Sequence, residues 1–153
     1  MKSSKAIIIF LICSILTTSY IFYNSFQPKA ESKNTSETVT EIVKPIVDPQ
    51  DKIPKEKMDK TVRKIAHGIE FGVLGIFLAL LFKSIKLRFN RTDISSPLLV
   101  ALVVAVTDEF IQTFTGRGSL VKDVLIDFGG AIIGIGIVML ILYIIKRKGT
   151  VEF

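Results

Sequence analysis

The sequence predicts an all-α fold, a small polytopic membrane protein of four transmembrane helices with both termini on the cytoplasmic side (N-in/C-in). Three observations carry this. The chain of 153 residues is 49% hydrophobic, with a mean hydropathy of +0.50. Its apolar residues gather into four runs, 6–23, 65–82, 98–114 and 124–145, none with an internal proline. Each approaches or reaches the roughly 17–25 residues of a tilted spanning helix. Backbone groups in lipid must bond within their own segment, so helices are the default. Third, the basic residues fall at alternate connections. Lys2 and Lys5 precede the first run, Lys83, Lys86, Arg88 and Arg91 fill the second connection, and Lys146, Arg147 and Lys148 follow the fourth run. All lie on one side of a four-pass path, the cytoplasmic side by the positive-inside rule. The net charge of +6 therefore reads as membrane-edge placement rather than a nucleic-acid footprint.

The first run has a basic start and an apolar core but no clean small-x-small cleavage site, and it is long for a signal core. It is read as a retained helix. Cys13 lies within it and is the one cysteine of the chain. It excludes an intramolecular disulfide and reads as a small apolar residue, since Ile12 is too bulky for a lipid-attachment site. The connection 24–64 is expected as an outer polar loop. It holds nine Lys/Arg and seven Asp/Glu, and Pro45, Pro49 and Pro54 interrupt regular structure. Within it, Val39, Ile42, Val43 and Ile46 recur at helical spacing. The stretch 38–47 is either a short amphipathic helix or a solvated loop. Asp59 is placed to cap a helix starting near Lys60. Pro97 suits the first turn of the third spanning helix. Between the third and fourth, Gly116 and Gly118 flank Arg117 in a tight turn. Tyr20, Tyr23 and Tyr143 fit interfacial anchors.

Ionisable groups at membrane depth are expensive and usually functional. His67 and Glu70 lie in the second run, Asp108, Glu109 and Gln112 in the third, and Asp123 and Asp127 at the start of the fourth. In a four-pass path all of them fall near the same membrane face, and inverting the topology preserves that coincidence. The faces agree as well. Arg63, His67, Glu70 and Leu74 follow one helical stripe, and Asp108 and Gln112 share a face with Ala101, Ala105 and Thr115. Asp123, Asp127, Gly130 and Gly134 share another. Gly130 and Gly134 form a small-xxx-small pattern, and Gly68, Gly72 and Gly75 make a similar ridge, so the second and fourth spans are expected to pack closely. Carboxylates gathered in a low-dielectric site need compensation. Arg63, Lys64, Arg117 or Lys122 can supply it, as can shared protons or a bound cation. Arg117, on its glycine-flanked turn, suits a bidentate carboxylate pair or an anionic ligand group.

Two blocks resemble the VanZ-like family of bacterial membrane proteins. The first is Arg63-Lys64-Ile65-Ala66-His67-Gly68-Ile69-Glu70-Phe71-Gly72-Val73-Leu74-Gly75, similar to the family's Lys-x-x-His-x-x-Glu-Tyr-x-x-Leu-Gly element, with Phe71 in place of the frequent tyrosine. The second is Asp108-Glu109-Phe110-Ile111-Gln112-Thr113-Phe114-Thr115-Gly116-Arg117, followed by Asp123, Asp127 and Gly130. Thr115 stands where proline is common. Ser25, Gln27, Ser32 and Ser36 echo the Ser-x-Gln-rich stretch after the family's first helix. The resemblance implies a multi-pass protein of the cell membrane and a link to low-level teicoplanin resistance. It implies no reaction.

Three functions follow as expectations. The leading one is a non-enzymatic envelope protein whose polar cluster binds a lipid or cell-wall ligand; its partners are then the bilayer and that ligand, with no cofactor and no nucleic acid. The alternative is a membrane-embedded hydrolase or transferase on a lipid-linked substrate, with a divalent metal on His67, Glu70, Asp108, Glu109 and Asp127. The third is a proton-linked transporter, for which four helices make a thin pore. Ser119 lies near the acids without the spacing of an activated nucleophile. Oligomeric state is not readable from the sequence.

Overall fold

The structure, a computed structural model, describes residues 2–89, 94–116 and 121–148. Among these, the chain forms five helices and no strand: α1 (Lys2–Phe26), α2 (Lys29–Val47), α3 (Lys55–Phe89), α4 (Ser95–Phe114) and α5 (Val121–Lys148). Four are long and apolar enough to cross a membrane: Ser4–Phe26, Lys55–Lys86, Ser95–Phe114 and Val121–Arg147. Each exceeds its apolar run at one or both ends. A helix continues past its apolar core wherever its backbone bonds stay internal, so hydropathy marks the lipid-facing length rather than the helix ends.

The connection 24–64 departs from the expected loop but takes the helical alternative for 38–47 and extends it. Residues 29–47 form α2, and α3 begins at Lys55 rather than near Lys60. Pro45 lies inside α2. It deletes one backbone bond close to the C-terminus, where only Pro45, Ile46 and Val47 remain, so it shortens the helix instead of breaking it. Asp48 then organises the turn. Its carboxylate accepts the backbone N–H groups of Lys52 (3.1 Å) and Ile53 (2.6 Å), and Asp51 takes a left-handed conformation at φ 51. Pro54 starts α3 by accepting the N–H groups of Lys57 and Met58 through its carbonyl. Asp59 is therefore no cap. It is buried within α3, and its Oδ2 lies 3.8 Å from Arg63 Nη2. α2 packs against the first part of α3, clasped by Lys55 to Glu41 at 2.8 Å. The Val39, Ile42 and Ile46 side of α2 is exposed rather than turned into the bundle.

α3 is the hub and packs against each of the other four helices. Its tightest partner is α5. A Cβ added at Gly130 would collide with the Gly68 carbonyl, one at Gly134 with the Gly72 carbonyl, and one at Gly75 with the Ala131 backbone. The pairing advances by four residues on both helices, from Gly68 with Gly130 to Gly72 with Gly134, so α3 and α5 run parallel. Small residues permit this approach, and dispersion and backbone contact supply the attraction where lipid leaves no hydrophobic drive between helices. Phe71, Leu74, Leu78, Ala101, Val104, Ala105, Ala131 and Ile21 form the inner core. The outer surface is apolar, with Leu16, Ile69, Phe110, Leu125 and Ile133 all exposed, as lipid contact demands.

Candidate functional site

α4 buries one stripe: Pro97, Ala101, Val104, Ala105, Asp108, Glu109 and Gln112. The spacing is that of one helix face. Its first part is small and apolar and meets the core; its last two turns are polar. Asp108 lies six residues before the end of α4, and Asp127 six residues after the start of α5. At 1.5 Å per residue both sit about 9 Å inside the same end of the bundle. Asp108 is fully buried, Asp127 is 2% exposed and Glu109 4%.

Three helices bond to one another at this level. Ser25 of α1 donates its hydroxyl to Asp108 Oδ1 at 2.5 Å. Gln112 donates Nε2 to Asp108 Oδ2 at 2.8 Å and reaches Ser25 Oγ at 3.4 Å. Asn24, beside Ser25, donates Nδ2 to Glu70 Oε1 of α3 at 3.0 Å. His67 Nδ1, one turn before Glu70, stands 3.8 Å from Asp108 Oδ2. His67, Asp108 and Asp127 each present one nitrogen or oxygen within 4.8 Å of the others. Asp127 Oδ2 is buried and has no hydrogen-bond partner among the described residues. Hydrogen bonds to charged acceptors are short and strong, so Ser25 and Gln112 fix the Asp108 carboxylate in one orientation.

The remaining residues singled out in the sequence take different places. Asp123 sits nearer the end of the bundle, half buried, and pairs with Lys64 at 2.5 Å. Arg63 turns to Asp59. Glu109 is buried on α4, and neither it nor Glu70 joins the group formed by His67, Asp108 and Asp127. Gly116 adopts φ 71, the left-handed turn that favours glycine. Arg117, Gly118 and Ser119 lie outside the described residues. Asn24 and Ser25 join the layer although the sequence marks neither as a site residue. The signal was available, because the end of the first span lies at the same membrane face as the other polar groups.

Four long apolar helices with a hydrogen-bonded polar layer near one end of the bundle define a small integral membrane protein. The chain belongs to the VanZ/LLP1 family, whose family model matches residues 9–143, nearly the whole chain. No match was found among curated proteins or among solved structures.

Proposed function

We propose that this VanZ-type membrane protein works in the bacterial cell envelope by receiving the polar head group of a lipid or lipid-linked cell-wall precursor at the layer of Ser25, His67, Glu70, Asp108, Gln112 and Asp127. The observation that carries this reading is the convergence of buried acids about 9 Å inside the bundle, on helices whose outer faces are apolar and exposed. A head group can enter such a layer sideways while its chains stay in the bilayer. Carboxylates at membrane depth persist where they line a substrate path or pair with one another.

The chemistry of the layer selects its ligand. Glu70, Asp108, Glu109 and Asp127 are acceptors when ionised, so a ligand rich in donors, such as sugar hydroxyls or an amine, fits better than a bare anion. The orientation belongs to the same reading. Lys83, Lys86 and Lys146 meet at the opposite end of the bundle, and the positive-inside rule makes that end cytoplasmic. The polar layer then faces the outer leaflet, where cell-wall precursors are used. Protection against a lipoglycopeptide such as teicoplanin would follow from occupying or altering such a precursor.

The test is expression of the full chain in a susceptible Gram-positive host. Wild type should raise the teicoplanin concentration needed to stop growth, and Asp108→Ala and Glu70→Ala should remove that effect at equal membrane abundance. Unchanged susceptibility with wild type would reject the antibiotic link. Native mass spectrometry of the purified chain should also retain a glycosylated or amine-bearing lipid, and lose it in the same variants. Failure to retain either class would reject the binding site. A metal-assisted reading of the layer is favoured by one observation, the approach of His67, Asp108 and Asp127.

A further inference from the structure

We infer that His67, Asp108 and Asp127 form a binding site for one divalent transition-metal cation, Zn²⁺ or Mn²⁺, held between α3, α4 and α5. The inference deepens the head-group reading and rests on the same layer, but it makes a separate claim about what the layer contains.

Distance is the first argument. Ligand atoms about 2.1 Å from a common ion stand between about 3 Å and 4.2 Å from one another. His67 Nδ1 and Asp108 Oδ2 are 3.8 Å apart, inside that interval. The whole trio lies within 4.8 Å, an excess that a small side-chain rotation removes.

The second argument is independent of the clustering. Asp127 is 2% exposed, and its Oδ2 has no hydrogen-bond partner among the described residues. A buried carboxylate oxygen left without a partner is costly. Coordination to a cation removes that cost, and Asp127 lies in the group whose ligand atoms approach one another.

The third argument is the surrounding shell. Ligating carboxylates are usually held by further hydrogen bonds that aim them at the metal. Ser25 and Gln112 hold one oxygen each of Asp108, which sets the direction of its carboxylate. The bare glycine contact between α3 and α5 fixes His67 relative to Asp127, because Gly68 directly follows His67 and meets Gly130, one turn beyond Asp127. A rigid backbone seam beside a ligand pair is what a precise site requires.

The donor set selects the ion. One imidazole nitrogen with two carboxylates suits Zn²⁺ or Mn²⁺ better than Mg²⁺, which prefers oxygen and water. Three protein ligands leave room for a further ligand on the ion. A phosphate-bearing head group, poorly matched to bare carboxylates, would then bind through the cation.

The experiment uses the full chain purified in detergent, stripped with chelator and titrated with Zn²⁺ and with Mn²⁺ by calorimetry. Bound metal is counted by elemental analysis after gel filtration. Wild type should retain one ion per chain. Asp127→Asn should lower affinity by more than about tenfold, and Ser25→Ala by about tenfold through loss of orientation. Glu56→Gln, remote from the layer, should bind as wild type does. Helix content by circular dichroism and a single gel-filtration peak show that each variant is folded. Asp127→Asn deletes the ligating charge with little change in shape, and Ser25→Ala provides a milder second variant. Wild type retaining no metal, or Asp127→Asn binding as wild type, would overturn the inference. So would equal weakening in Glu56→Gln, which would mark surface binding. A metal-free protein that still retains the glycosylated or amine-bearing lipid would sink this inference and leave the head-group reading standing.

Discussion

The two ends of the bundle are assembled by different means. At the end that holds the polar layer, helices meet through hydrogen bonds from Asn24, Ser25 and Gln112 and through bare backbone at Gly68, Gly72, Gly130 and Gly134. At the other end α3, α4 and α5 splay around a cavity of about 540 Å³ walled by Phe82, Pro97, Ile135, Met139 and Leu142, with lysines at its rim. The first end is directional: hydrogen bonds join named groups at set distances. The second is set by apolar bulk, which adapts to changes in side-chain size. The bundle is thus closely specified at its polar layer and loosely filled around the cavity.

Glycine substitution should produce the largest contrast. Gly134→Val places atoms against the Gly72 carbonyl and the Ile76 nitrogen. Backbone cannot rotate away, so the cost should reach the upper range for overpacking, about 3 kcal/mol. Gly136→Val, two residues on with nothing within 4 Å, should stay within about 0.5 kcal/mol of wild type. Reversible unfolding in mixed micelles measures both. Equal effects would erase the difference between seam and surface.

Loss of one hydrogen bond should come next. Ser25→Ala removes the donor to Asp108 and should cost about 1–2 kcal/mol, the range for polar bonds between helices in a bilayer. The same unfolding assay reads it. A neutral outcome would mean that the layer is held by its packing alone.

At the other end Leu142→Ala should cost less, about 1 kcal/mol. A packed leucine typically costs about 2–5 kcal/mol, but Leu142 already borders a cavity. Leu142→Phe should be tolerated in the same assay. A large loss with either would show that the cavity end is as closely specified as the polar end.

The smallest effect belongs to the extramembrane clasp. The Lys55 ammonium beside Glu41 holds that carboxyl below its ordinary range, through a hydrogen bond first and charge second. A lowered value in the folded state means that the stabilisation is complete above the ordinary carboxylate range and is lost as pH falls through the lowered value. Helix content should therefore be flat from neutral pH down to the ordinary glutamate range, with any clasp loss below it. The pair is fully exposed, and such pairs contribute little. Lys55→Ala should leave circular dichroism at neutral pH unchanged.

Much of the architecture was legible because lipid imposes simple rules. Long proline-free apolar runs mark the spans, and glycines spaced by four on two runs mark a close contact between them. Ionisable residues inside apolar runs mark His67, Glu70, Asp108, Glu109 and Asp127. The rest required distances. The polarity of α2 and its Pro45 hide it, and what secures it is packing against α3, which no residue pattern within α2 displays. Asn24 and Ser25 carry no charge and follow an ordinary apolar run, so only their place at the same membrane face points to them. Glu70, Glu109 and Asp123 looked equivalent to Asp108 and Asp127 in composition. Only the contacts separate them: Glu70 goes to Asn24 and Asp123 to Lys64.

The parallel glycine seam has a consequence for biogenesis. α3 and α5 are separated in the chain by α4, so the seam cannot close until the final span has been synthesised and inserted. Until then His67 enters the bilayer without Asp127, which approaches it in the finished bundle. A chain halted after α4 should therefore persist as a poorly assembled species and be cleared by membrane quality control. Supplying α5 as a separate peptide should rescue it.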